Sequence, residues 1–207
     1  MSEDVLSEAF FDARERDLEQ RLKRKRFEHA RSVSEMAALL AETYGADVRK
    51  ARLAGLLHDW DKEYDDDAIR AHARALDVDV DPYVLETMPR LLHGPTAAAE
   101  LKRAHPDLPD DVIQSIARHT AAAVGMSDLD MIIYIADAIE PGRDFDGLDE
   151  LRSAIGEVPL EELFMMTFNH ILLTLVERRR RLHPATVEVW NHYVARSREA
   201  KAEKGTA

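Results

Sequence analysis

The sequence predicts an all-α protein folded as a single compact helical bundle, and three observations carry that prediction. Apolar residues recur at spacings of three and four along nearly every segment, proline and glycine fall between those segments, and no long run alternates as a half-buried strand would. A chain of 207 residues, 45% hydrophobic and with only Gly 8 and Pro 8, suits one domain with a sizeable core and excludes a disordered or collagen-like polymer.

Taken in order, residues 1–24 read as a helical N-terminal extension. It carries Arg14-Glu15-Arg16, and a basic run at Arg21 and Lys23 to Arg26 reads as a solvated face. From Phe27 to Tyr44 the stripe His29, Val33, Met36, Leu40 marks one buried helix face, with a histidine on it. After the break at Gly45, Asp47 caps a second helix that ends at His58-Asp59. Asp65 to Asp67 precede a short helix over Ala68 to Leu76, and Asp77 to Asp81 is a connector because Pro82 stops its alternation.

The segment Tyr83 to His93 is interrupted by Pro89, and Gly94-Pro95 breaks it from an alanine-rich helix ending near His105. Pro109-Asp110-Asp111 opens a helix, with proline at its first position, that leads to His119-Thr120. Ser127 to Asp130 approximates a capping box for a helix through Ile139, stopped by Pro141-Gly142. Leu148 to Ile155 forms a short helix and Pro159 to Arg181 a long one, with Arg178 to Arg181 in its last turn, where cations complement the dipole. A last helix follows Pro184 through Trp190 and Tyr193, and Ser197 to Ala207 is a frayed polar tail.

Composition excludes several classes. With 40 acidic against 28 basic residues the net charge is −12, which argues against extended nucleic acid or an anionic membrane as partner while leaving room for one small anion. Cysteine is absent, so disulfides, thiolate metal sites and Cys nucleophiles are all excluded, and a metal would need nitrogen and oxygen ligands. The N-terminus lacks the basic and apolar regions of a signal peptide, and Ile171 to Val176 is far too short to span a bilayer. A soluble cytoplasmic protein is the expectation.

The residues that bear chemistry stand at helix ends or on apolar faces: His29, His58-Asp59, His93, His119 and Asp137. Singly, each has a plain explanation: a core histidine with both ring nitrogens satisfied, or a carboxylate paired with an arginine. Together their order is more specific. The segments Phe27-Glu28-His29-Ala30-Arg31, Leu56-Leu57-His58-Asp59-Trp60-Asp61-Lys62, Leu91-Leu92-His93-Gly94, Ala117-Arg118-His119-Thr120 and Tyr134-Ile135-Ala136-Asp137-Ala138-Ile139-Glu140-Pro141-Gly142-Arg143 resemble the HD-domain metal-dependent phosphohydrolases, and among them the YqeK family.

That resemblance, which covers roughly Lys25 to Arg181, implies an HD-domain core over residues 25–183 and a C-terminal helix and tail over 184–207. It implies a metal held by His29, His58, Asp59 and Asp137, most simply iron; an N/O donor set of this kind also accepts Mn, Co or Zn. Lys62, His93, His119, Thr120 and Arg143 would contact nucleotide phosphates together with His29 and Asp137, with His93 and His119 also donating protons or, alternatively, holding a second metal. The implied reaction is symmetrical cleavage of diadenosine tetraphosphate (Ap4A) to two ADP, by attack of a metal-activated water on a phosphoanhydride. Two alternatives stay open: an HD phosphohydrolase for another nucleotide or a phosphodiester, and a catalytically silent nucleotide-binding module. A homodimer is compatible with all three.

Overall fold

The computed structural model describes the backbone of residues 4–205 and the side chains of residues 4–199; these form eleven α-helices and no strand. In order they are α1 (Glu8–Arg21), α2 (Arg24–Tyr44), α3 (Val48–Leu57), α4 (Asp66–Ala75) and α5 (Pro82–Thr87), then, after a 3-10 turn at Pro89–Leu91, α6 (His93–Ala104). The chain continues through α7 (Asp110–Arg118), α8 (Asp128–Ile139), α9 (Leu148–Ser153), α10 (Leu160–Glu177) and α11 (Thr186–Gly205). None of the described helices is long and apolar enough to cross a membrane.

Side-chain caps set most of the starts. Asp47, Asp65 and Asp81 each accept from two backbone N–H groups opening α3, α4 and α5, satisfying donors that a helix N-terminus leaves without partners. Both halves of the capping box at Ser127 and Asp130 are formed. Gly45, at φ 75°, closes α2 in the left-handed region.

The centre of the bundle is α8, buried along Leu129 to Ala136 and again at Ile139, with α2, α7 and α10 packed around it. Helix α3 lies against α2 so closely that the Ser34 hydroxyl donates to the Arg52 carbonyl at 2.7 Å. Leu53, Leu56 and Leu57 are buried on α3, and each contributes about 1.5–3 kcal/mol on leaving water. Their burial carries the end of α3, and the His-Asp doublet that follows it, into the interior. Arg152 of α9 donates to the carbonyls of Ile139, Glu140 and Arg143, so the end of α8 and the turn after it are held by one guanidinium.

Several expectations are corrected. Helix α2 begins at Arg24 rather than Phe27, and α1 is part of the core, since Phe10 and Leu18 are fully buried. Pro95 lies inside the first turn of α6, where its missing N–H has no intrahelical partner to lose, so Gly94-Pro95 is no break. Pro109 caps α7 from outside instead of occupying its first position. Arg178 to Arg181 are not in the last turn of α10: the helix ends at Glu177, and Arg179 turns the chain at φ 51°. The tail from Ser197 is helical through Gly205, because Arg, Glu, Ala and Lys are strong helix formers; residues 206–207 lie outside the described ones. The basic run is not simply solvated either, since Arg21 and Arg26 both turn inward onto carboxylates.

Candidate active site

Four helix ends and the middle of one face bring the chemistry together. His29 is on the inner face of α2, His58 caps the C-terminus of α3 with Asp59 following, His93 opens α6, His119 caps α7, and Asp137 lies near the end of α8. His58, Asp59, His93 and His119 are buried, whereas Asp137 keeps a quarter of its side chain exposed at the mouth.

The four ring orientations follow one rule. His58, His93 and His119 each donate Nδ1–H to the carbonyl three residues earlier, at Gly55, Arg90 and Ile116, each at 2.7 Å. A carbonyl only accepts, so all three carry a proton on Nδ1, and in the neutral ring the lone pair is on Nε2. His29 places Nδ1 3.0 Å from Glu140 Oε1, an arrangement that likewise leaves Nε2 inward. The Gly142 N–H and the Ser32 hydroxyl help keep the Glu140 carboxyl below its ordinary range against the effect of burial.

Those Nε2 atoms converge on the carboxylates. His29 Nε2 is 3.0 Å from Asp137 Oδ1 and 3.7 Å from Asp59 Oδ2, and His58 Nε2 is 3.8 Å and 3.5 Å from the same two oxygens. His93 Nε2 is 3.0 Å from Asp59 Oδ1 and 3.0 Å from His119 Nε2. Nε2 of His29, Nε2 of His58 and Oδ1 of Asp59 are buried without a hydrogen bond. Buried lone pairs left facing one another cost free energy unless a cation lies among them. The His29-His58-Asp59 and His58-His119-Asp137 groups each keep their ligand atoms within 4.8 Å of one another, so the residues fit a divalent ion.

The electrostatics agree. Burial pushes the Asp59 carboxyl up, but His58, His93 and Lys62 hold it well below the usual carboxylate range. Against the same effect of burial, His29, His58 and Arg143 hold Asp137 low. Burial pushes His58 down, and the Asp59 and Asp137 charges outweigh it and raise it. Burial lowers His119, reinforced by His93 and His58, and burial with the Lys62 charge lowers His93. With their Nδ1–H given to a carbonyl, neutral His93 and His119 present Nε2 lone pairs to the site, where a cation can be bound.

Lys62 Nζ is 3.3 Å from Asp59 Oδ1 and 3.0 Å from His93 Nε2. Arg143 donates Nε–H to the Asp137 carbonyl at 2.9 Å and pairs through Nη2 with the Asp137 carboxylate. Thr120 donates to the Leu91 carbonyl at 3.3 Å and faces the same cavity. The nine residues singled out from sequence thus line or floor one site. Sequence reasoning missed Arg26, which donates to Asp59 Oδ2 at 3.0 Å, and Glu140, behind His29. Arg26 stands three residues before His29, one helical turn away, and that spacing is the signal that could have found it.

The site floors a cavity of about 960 Å³. Lys62, His93 and Arg143 are on its wall, and farther out Phe145 stacks on His170 with ring centroids 4.8 Å apart and planes at 22°. Gly147, at φ 85°, makes room for that ring, since a Cβ there would lie 3.3 Å from His170 Nδ1.

This helical frame, with histidines and aspartates from α2, α3 and α8 meeting at its centre, is that of an HD domain, and the family model for the HD domain matches residues 26–142. The chain belongs to the HD-domain family. Within it, the chain is 29% identical over 180 residues to a symmetrical bis(5'-nucleosyl)-tetraphosphatase of Bacillus subtilis, covering 87% of this chain and 95% of that one. It is 31% identical over 175 residues to the enzyme of the same name from Staphylococcus aureus, covering 84% and 89%. A solved structure from Clostridium acetobutylicum, described as an HD superfamily hydrolase involved in NAD metabolism, superposes with TM-score 0.83 at 34% identity, covering 90% of this chain and 97% of that one.

Proposed function

We propose that this protein hydrolyses dinucleoside tetraphosphates symmetrically, Ap4A to two ADP. The observation that carries the reading is the convergence of inward Nε2 lone pairs on two carboxylates at the floor of a cavity large enough for a nucleotide. The names of the B. subtilis and S. aureus relatives support the substrate.

His29, His58, Asp59 and Asp137 would hold the ion, for which we propose iron. Such an ion, when bound, polarises a phosphoryl oxygen and acidifies water. Lys62, beside Asp59, brings a point charge and Arg143, beside Asp137, a planar fork to the polyphosphate. His93 and His119 lie beside them, facing the same cavity and within reach of the polyphosphate. The water oxygen joins one of the two central phosphorus atoms, and the central bridging oxygen leaves with the other ADP. The Phe145–His170 pair offers a flat apolar face for a base, and Thr120 closes the wall next to His119.

We propose one ion in this centre. Lone pairs on His93 and His119 facing at 3.0 Å need a positive charge nearby, and the Lys62 ammonium supplies it. A cytoplasmic location goes with this reading. The test is elemental analysis joined to product analysis. The wild type should release two ADP per Ap4A, with no AMP and ATP, and His58→Ala should lose the ion and the turnover together. Turnover that persists in a metal-free His58→Ala sample would overturn the reading.

A further inference from the structure

A second cluster of metal-binding side chains lies outside the centre just described: Asp61 in the turn after His58-Asp59, His72 on α4 and Glu100 on α6. Asp61 Oδ2, His72 Nε2 and Glu100 Oε2 converge. Nε2 is 3.4 Å from Oδ2 and 2.9 Å from Oε2, and the set lies within 4.8 Å. A tetrahedral zinc ion with bonds of about 2.0–2.1 Å separates its ligand atoms by roughly 3.3 Å, so the spacing suits one.

A salt-bridge network among the same residues would leave each oxygen with a donor, and one oxygen, Asp61 Oδ2, has none. Asp61 is 1% exposed, and its Oδ2 has no hydrogen bond. Burial raises the Asp61 carboxyl, the nearby Thr96 hydroxyl lowers it against that effect, and the hydrogen bond of this hydroxyl to the His93 carbonyl is 3.3 Å. The outer oxygens are tied from behind, while Glu100 Oε2 is hydrogen-bonded to His72 Nε2 at 2.9 Å. Arg21 Nη2 donates to Asp61 Oδ1 at 2.7 Å, Trp60 Nε1 donates to Glu100 Oε1 at 2.8 Å, and Arg21 Nη1 is 3.0 Å from that same oxygen. Arg21 Nη2 also reaches Glu100 Oε2, at a longer 3.2 Å. Donors placed behind the carboxylates in this way leave Asp61 Oδ2 free and facing His72 Nε2 and Glu100 Oε2, as outer partners orient ligands at metal centres. The His72 ring is fixed by stacking on Tyr64, with centroids 4.9 Å apart and planes at 28°. His72 and Glu100 keep 20% and 26% of their side chains exposed, so an ion can enter from solvent and keep water in its fourth position.

We propose that Asp61, His72 and Glu100 form an auxiliary divalent-cation site of the zinc type, which cross-links α4 and α6 to the turn carrying Asp59 and Lys62. It is independent of the catalytic reading, since none of its three ligands belongs to the proposed catalytic centre.

The test is zinc stoichiometry. Metal-stripped wild type, His72→Ala, Glu100→Gln and His58→Ala are equilibrated with excess Zn²⁺, desalted and analysed for zinc per chain. His72→Ala and Glu100→Gln should each hold one equivalent fewer than wild type, and His58→Ala should keep the His72-dependent equivalent. Cobalt substitution should show a visible absorption component absent from His72→Ala and Glu100→Gln. If His72→Ala fails to fold by circular dichroism, His72→Gln, which retains a polar side chain of similar reach, takes its place. Wild-type zinc content in the folded variants would overturn the proposal, whatever the outcome for Ap4A hydrolysis.

Discussion

Gly55→Ala is the sharpest test of how the fold sets the site, because two principles oppose each other at that position. Gly55 sits inside α3, where alanine is favoured over glycine by about 1 kcal/mol, so helix propensity alone predicts stabilisation. A Cβ at residue 55 would, however, lie 2.9 Å from Ser34 Cα, 3.0 Å from the Val33 carbonyl oxygen and 3.1 Å from Ser34 N, all of them backbone atoms of α2. No side chain can rotate away, and restoring ordinary contact from 2.9 Å to 3.4 Å requires the helices to part by roughly half an ångström.

Overpacking of this kind costs about 1–3 kcal/mol, and weakening the Ser34–Arg52 hydrogen bond adds about 0.5–1.5 kcal/mol. The net expectation is a loss of about 2 kcal/mol, read from urea denaturation of the metal-free protein. Because the Gly55 carbonyl also orients His58, metal affinity should fall with it. Gly45→Ala is the control: it meets nothing within 4 Å, so its cost comes only from the left-handed φ and metal affinity stays unchanged. A Gly55→Ala protein as stable as wild type, or more so, would refute the argument that backbone contact between α2 and α3 outweighs propensity.

Three further outcomes follow from the geometry. Glu140→Gln should weaken metal binding about 10–100-fold, because it alters the group that orients His29; titration of the folded variant with Fe²⁺ or Mn²⁺ measures it. Phe145→Ala should raise KM for Ap4A several-fold while leaving inhibition by pyrophosphate unchanged, since stacking a base contributes about 1–3 kcal/mol and inorganic phosphates have no base to stack. Tyr193→Phe removes the acceptor of the buried Met126 N–H and should cost about 1–3 kcal/mol by denaturant titration. Burial raises the Tyr193 phenol, so above about pH 10 the unfolded chain loses that proton first and wild-type stability falls as pH rises. The Phe variant should lack this part of the alkaline decline.

The helices were legible because their ends are written locally. Asp47 and Ser127 cap as their spacing predicts, Gly45 closes α2, and the Asp65 to Asp67 run marks the start of α4, although the helix takes in Asp66 and Asp67. His58-Asp59 and Asp137 could be found because a polar group on an apolar helix violates a local rule. Glu140 and Arg21 could not be chosen from local pattern, since arginines and glutamates are common on exposed helix faces and only tertiary packing sets Glu140 behind His29 or Arg21 against Asp61. The Phe145–His170 stack joins two residues from α9's approach and α10 that no short-range signal pairs. The start of α6 was misread because Pro95 signals a break, although a first turn accepts proline.

The partners of the site's histidines divide its mutational tolerance unevenly. Where Nδ1–H goes to the main chain at residues 55, 90 and 116, any amino acid supplies the acceptor, so selection on those side chains answers only to packing: Arg90 can drift, while Gly55 is confined by the neighbouring helix. His29 alone relies on another side chain, and Glu140 can therefore be lost in a single codon change. Among lineages of this enzyme, Glu140 should vary in step with His29, whereas residues 90 and 116 should vary without regard to the histidines they serve.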